Sequence, residues 1–350
     1  MKSKLLHRNF SLLIAGQASS LLGNGILDFA MSMYVLEKTG SAAVYAGFLT
    51  ASMIPSILFS PLGGILADRG NKRNIMAGLD FLAGLGVLLV AVFMREENSL
   101  AMICGLLLFE SVLGAFENPA VQSCIPFMQK GENPLLLVKE DFLDSLRLIT
   151  RERPAILKML LVISVVTCLL QGVSAVGFPY IIRNVLGLSS IYYGFSESAV
   201  GLAAIAGGIL AGLAASKIHG KNIYLIIGAL GFFLIPPGIL FLLSGNPYIR
   251  YGTLVLFSVL LQLAACGFSI FATSLIQRLT PGNMMGKVSA YTSAFTQCIQ
   301  PLGQILYGFL FDSFSGGVAW ILILTGTILG GFALAVKGFF RKTEREFTEN

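Results

Sequence analysis

The chain has 350 residues, 55% of them hydrophobic and 12% charged, with a formal net charge of +6. Soluble domains carry about 25% charged residues, so this composition excludes a soluble enzyme, a nucleic-acid-binding protein and a disordered chain. With a mean hydropathy of +0.80, it describes an all-α polytopic membrane protein. The basic balance needs no nucleic-acid partner, because Lys and Arg gather in the cytoplasmic loops of membrane proteins.

A helix needs about 20 apolar residues to cross roughly 30 Å of hydrocarbon. Ten stretches qualify. The first four are Phe10–Leu36, Val44–Ala67, Ile75–Met94 and Leu100–Val121. After a polar break come Ile156–Ile182, Ile191–Ser216, Ile223–Ser244, Tyr251–Ile276, Val288–Phe311 and Val318–Lys337. The first run reads as a span rather than a cleaved leader, since no small-residue cleavage site follows a short apolar core. With the N-terminus in the cytoplasm, 20 of the 24 Lys and Arg fall on the cytoplasmic side. Lys38, Arg95, Arg183 and Arg250 remain outside. This asymmetry supports both the span count and the orientation, with both termini cytoplasmic. Trp320 and most tyrosines, Tyr34, Tyr45, Tyr180 and Tyr248 among them, gather near the outer boundary, as an aromatic belt does.

The five cysteines, Cys104, Cys124, Cys168, Cys266 and Cys298, are widely spaced and form no CxxC. They read as small packing residues, not as disulfides or metal ligands. His7 and His219 are too far apart in sequence to suggest a histidine metal site. Glycine pairs at Gly63–Gly64, Gly207–Gly208 and Gly330–Gly331 read as places where helices approach closely in lipid.

Between the second and third spans lies GGILADRGNKRNIM, Gly63 to Met76. An acid, Asp68, and the bases Arg69, Lys72 and Arg73 crowd a very short loop. A carboxylate there could bind a helix N-terminus, whose free N–H groups and dipole favour anions. Such a contact would hold one conformation closed and break in another. This segment resembles the signature loop of the major facilitator superfamily, roughly G-x-L-A-D-R-x-G-R-K. Gly64, Leu66, Ala67, Asp68, Arg69, Lys72 and Arg73 carry the resemblance, and Asn71 stands where a glycine is usual. That departure, with the Thr39-Gly40-Ser41 lead-in to the second span, is similar to the drug:proton antiporter branch that includes macrolide-efflux pumps and siderophore exporters. An internal echo agrees with a protein built from two halves: GGILA at 63–67 returns at 207–211.

The resemblance implies a major-facilitator-like fold, whose pattern is six helices in each half. This chain has about ten, arranged four and six. The fifth and sixth helices are the ones missing. In their place comes LLLVKEDFLDSLRLITRERPAIL, which resembles the amphipathic linker that follows the sixth helix. Asn133 would cap it and Pro134 suits its first turn, while Leu135, Val138, Phe142, Leu146 and Ile149 form one apolar face. The expected organisation is a four-helix half at 1–130, a cytoplasmic linker at 131–155, a six-helix half at 156–337 and a cytoplasmic tail at 338–350. An incomplete first half would face lipid or a second copy of the chain, which makes a homo-oligomer an expected partner.

Ionisable and polar groups inside spans usually face a cavity or a partner. Gln17, Asn24 and Asp28 share one face of the first span, and Glu110 and Glu117 one face of the fourth. Ser164, Thr167, Gln171 and Ser174 line the fifth, and Gln262, Cys266, Ser269 and Thr273 the eighth. Ser293, Gln297, Gln300 and Gln304 do so in the ninth. The resemblance implies that the first, fourth, fifth and eighth of these spans line the central cavity. Asp28 and Glu110 are then the expected proton-coupling or cation-binding carboxylates. Asn24, Gln17, Gln171 and Gln262 are expected to line the cavity. Gly64, Asp68, Arg69, Lys72, Arg73 and Glu117 form the expected cytoplasmic gate, with Asp80 as a further partner for loop bases.

No P-loop, GxSxG or HExxH occurs, so neither ATP-driven transport nor familiar intramembrane hydrolysis has support. No enzyme activity and no cofactor are expected; an ion gradient would supply the energy. The expected function is proton-coupled efflux of a small amphipathic drug-like molecule or natural product from a bacterial cell. Partners are that substrate and the lipid bilayer, with no nucleic acid. The alternative is an inactive transporter remnant acting as a membrane scaffold.

Overall fold

The computed structural model describes residues 8–69, 72–122, 154–214, 223–280, 285–314 and 316–348. The expected amphipathic linker and Cys124 lie outside them. Ten long helices and no strand occur among the described residues. The first four are α1 (Arg8–Thr39), α2 (Ala42–Arg69), α3 (Lys72–Phe93) and α4 (Ser99–Gln122). The next three are α5 (Pro154–Val185), α6 (Ser190–Ala214) and α7 (Ile223–Leu243). The last are α8 (Pro247–Leu279), α9 (Met285–Ser313) and α10 (Val318–Thr348).

Eight of the ten are long and apolar enough to cross a membrane. In α9, Gln297, Gln300 and Gln304 form a polar stripe that dilutes its hydropathy.

Local chemistry sets the helix ends. Gly40 ends α1 in the left-handed region, φ 65°, and its N–H returns to the Leu36 carbonyl at 2.9 Å; glycine adopts this conformation without steric penalty. Asn246 caps α8 by accepting from the Tyr248 N–H at 2.9 Å, with Pro247 in the first turn. This cap starts α8 earlier than the expected Tyr251. The carbonyls at the end of α7 are met by Arg250. Its Nε donates to Ser244 at 2.5 Å and its Nη2 to Phe241 at 2.8 Å. α10 runs through the expected tail boundary at 337 as continuous helix to Thr348.

The described residues fall into two compact units. One lies within Met1–Gly40 and Ala51–Phe127, the other within Ser41–Thr50 and Met128–Asn350. The first turns of α2 therefore belong to the second unit and the rest of that helix to the first.

The second unit is tightly packed through small residues. Gly303 of α9 lies against the Cys168 carbonyl of α5, and Gly172 of α5 against the Tyr307 ring. A Cβ on Gly231 of α7 would stand 2.5 Å from the Gly326 carbonyl of α10. Tyr307, fully buried, shares a 2.6 Å hydrogen bond with Thr325 of α10. In the first unit, Gly63 of α2 lies against the Ala115 carbonyl of α4, and Gly86 of α3 faces the Phe109 ring of α4. The Ser56 N–H of α2 donates to the Ser111 hydroxyl of α4 at 3.0 Å.

Two sequence expectations change. Gly63 and Gly207 sit at close approaches, but Gly208, Gly330 and Gly331 have open space where a side chain would be. Of the three pairs, only Gly330–Gly331 has open space at both positions. Cys104, Cys168, Cys266 and Cys298 are free thiols. Cys266 meets Gly207, and Cys298 is exposed.

Candidate functional site

In the first unit, α1 and α4 bring their acids into one field. Glu110, on α4, has a buried Oε1 with no hydrogen-bond partner. The charges of Asp28 on α1 and Glu117 on α4 both act on it. Seven residues is about two helical turns, so Glu110 and Glu117 share a face of α4. Asp28 and Asn24 are exposed on α1. Asp28 and Glu117 thus place like charges in the field of Glu110, one of whose oxygens is buried with no hydrogen-bond partner. Such an arrangement favours a proton or a cationic group. Glu117, expected at the gate, thus shares the field of the expected coupling residues. The side chain of Gln17 lies outside the described residues.

Asp80 of α3 accepts from the Ser20 hydroxyl of α1 at 2.9 Å. This ties it to α1; the side chains of the loop bases expected as its partners lie outside the described residues. The backbone of Gly64, Asp68 and Arg69 ends α2, and Lys72 and Arg73 open α3. Their side chains are outside the described set, as are Gly70 and Asn71, so the expected gate contacts are too.

The polar stripes of the second unit divide. Gln262 is half-buried and donates to the Cys266 sulfur at 3.7 Å. Gln171 is half-buried at the end of the regular α-helical stretch of α5. Beyond it the chain passes through two π-helical segments, Gly172–Gly177 and Ile181–Val185. Segments of this kind are frequent at functional sites. Two hydroxyls of the α5 stripe bond to their own helix. The Ser164 hydroxyl donates to the Leu160 carbonyl at 2.7 Å, and that of Ser174 to Leu170. Polar spacing alone does not separate such back-bonding from cavity lining.

One carboxylate escaped the sequence reading. Asp312, one residue past the expected end of the ninth span, reaches the start of α2. Its Oδ1 accepts from the Ala42 N–H at 2.7 Å, and its Oδ2 from the Ala43 N–H at 3.0 Å and the Ser41 hydroxyl at 2.5 Å. The Ser41 oxygen in turn accepts from the Val44 N–H at 3.1 Å. The unpaired N–H groups of the first three residues of α2 are all satisfied in this way. The signal available was Gly40-Ser41 before an apolar run, a helix N-cap pattern.

Comparison with known proteins agrees with this architecture. The Major Facilitator Superfamily profile matches residues 13–132 and 160–349, and the break coincides with the expected loss between the fourth and fifth spans. Macrolide efflux protein A of Streptococcus pyogenes is 35% identical over 119 residues, which is 34% of this chain and 29% of that protein. The protein of the same name from Enterococcus faecalis is 32% identical over 94 residues, covering 27% and 29%. The chain therefore matches less than a third of the length of these relatives. In fold it is similar to the crystal structure of a D-xylose-proton symporter, with a TM-score of 0.64 and 15% identity over 93% of this chain and 97% of that one. Ten long helices, a short acid-and-base loop after the second and a match across both halves lead to one assignment: the chain is a multi-pass membrane protein that belongs to the Major Facilitator Superfamily.

Proposed function

We propose that this protein is a secondary active transporter. It exports small amphipathic, drug-like or natural-product molecules in exchange for protons, by alternating access. It works in a bacterial cell membrane with both termini in the cytoplasm, without a cofactor, and is not an enzyme. The observation that carries this reading is Glu110: a buried, unpartnered carboxylate oxygen in the field of Asp28 and Glu117. An acid held in that way in a membrane helix favours binding of a proton or a cationic group. Glu110 and Asp28 exchange the proton; Asn24, Gln17, Gln171 and Gln262 contact substrate. Gly64, Asp68, Arg69, Lys72, Arg73 and Glu117 gate the cytoplasmic side. The efflux direction draws its support from the macrolide efflux relatives.

The test is reconstitution in liposomes with a fluorescent cationic dye, with and without an imposed pH gradient. Dye movement should follow the gradient and fall at least about a hundredfold in Glu110→Gln, the range lost with a proton-transfer group. Equal transport by the variant would remove Glu110 from the mechanism.

A second reading has its own observation. Only 6% of the α3 span Asn74–Phe93 is buried, and Phe81, Leu88, Val92 and Phe93 are exposed along it. A remnant acting as a scaffold, or a homo-oligomer that covers this face, would both account for it. A well-folded protein that moves none of several dyes favours the scaffold. Sedimentation at monomer mass in detergent would remove the oligomer.

A further inference from the structure

We infer that Asp312 is a latch on the outer end of α2, a contact that the transport cycle must break and remake. The inference rests on the transporter reading for its purpose, but its geometry stands alone.

The chemistry is that of an anion at a helix N-terminus. Both Asp312 oxygens are engaged, one by Ala42 and the other by Ala43 and Ser41. Hydrogen bonds to a charged group are about twice as strong as neutral ones. The contact joins residues 270 positions apart. It is backed by a second observation one helical turn earlier on α9. Gly308 lies so close to α2 that a Cβ there would stand 2.6 Å from the Ala46 Cβ and 3.0 Å from the Ala42 carbonyl. Ala42 and Ala46 are both fully buried. Small residues on both helices thus bring the backbones together, and the carboxylate fastens the end. By the loop-charge orientation, this end of α2 faces outside.

α2 is one continuous helix. Its first turns cluster with α9 in the second unit, while Gly63, further along, packs on Ala115 of α4 in the first. A pathway opening at the outer end requires the first turn of α2 to leave α9. The three donors of Ser41, Ala42 and Ala43 must then turn to water, and Ala46 must become exposed. The contact is fully made here: both carboxylate oxygens are engaged and Ala46 is buried.

The experiment reads the exposure of Ala46 without needing any transported substrate. In the full chain with its five native cysteines replaced, Ala46→Cys is placed in lipid nanodiscs and labelled with a membrane-impermeant maleimide. Labelling should be slow with Asp312 present and about tenfold faster in Asp312→Ala, because loss of a charged hydrogen-bonding group shifts a two-state equilibrium by about that factor. Ser41→Ala, which removes one of the three donors and leaves the carboxylate, should give a smaller increase with the same helical content. Equal labelling in all three proteins, or fast labelling with the latch intact, overturns the inference. Dye transport measured on the same proteins keeps the two readings apart. A labelling change without any transport would leave the latch standing and sink the transporter.

Discussion

The two units of this protein are built from similar helices but treat packing differently. In the second, 44% of the α5 span and 44% of the α10 span are buried; in the first, the α3 span is 6% buried. The second unit brings glycine faces against neighbouring carbonyls and closes with the Tyr307–Thr325 hydrogen bond. The first has such an approach at Gly63 and Ala115, and it sets Glu110 of α4 in the field of Asp28 and Glu117. The contrast is clearest at the extremes, because the α4 span of the first unit is 28% buried, as is the α8 span of the second.

The largest expected effect tests where the packing lies. Gly303 has no room for a side chain, because its Cβ position collides with the Cys168 carbonyl. Gly303→Val should lower stability by about 3 kcal/mol or more, since overpacking at a backbone contact cannot be relieved by a rotamer change. Gly105 of α4 has open space around it, so Gly105→Val should stay within about 0.5 kcal/mol. Thermal unfolding in detergent measures both. Similar losses would erase the contrast between the units.

A middle-sized effect compares two cations at helix ends. Arg250 holds the Ser244 and Phe241 carbonyls and stands 5.2 Å over the Phe241 ring. Arg250→Ala should cost about 1–2 kcal/mol, as two C-capping hydrogen bonds and a cation–π contact are lost. Lys38 makes a 3.9 Å ion pair with the highly exposed Glu96. Exposed pairs contribute little, so Lys38→Ala should leave the melting curve unmoved. The same assay reads both; a larger loss from Lys38 would reverse the ranking.

Much of this architecture was legible in the sequence because membrane helices announce themselves by length. α7 begins at Ile223 and α10 at Val318, both where the apolar runs begin. The family was legible in a short loop whose residues are neighbours in the chain. The Asp312 contact was not, because its partner is 270 positions away and nothing local marks a single acid after an apolar run. An acid on a helix N-terminus was the expected chemistry of Asp68, whose side chain lies outside the described residues. Asp68 stands at one end of α2, and the described contact lies at the other end. The π segments of α5 were illegible for a similar reason. Gly172 and Gly177 face Tyr307 and Phe311 of α9, so those glycines serve a packing arrangement that the local sequence does not contain. For the hydroxyl stripe on α5, helical spacing shows which face a residue occupies but not that the Ser164 and Ser174 hydroxyls bond their own helix.

The smallest effect is informative through its sign. Glu110 holds a buried oxygen with no partner and feels the charges of Asp28 and Glu117. A carboxylate kept for structure should be missed when it is neutralised; one kept for function should not. Glu110→Gln preserves shape and removes the like-charge repulsion, so thermal unfolding should be unchanged or raised by about 1 kcal/mol. Gradient-dependent dye movement should be lost in the same protein. A stability gain paired with a loss of transport would mean that the first unit tolerates an unfavourable acid because the cycle uses it. A clear loss of stability would mean that Glu110 has a structural partner, and that acid would then belong to the packing, removing the contrast between the units at its most informative residue.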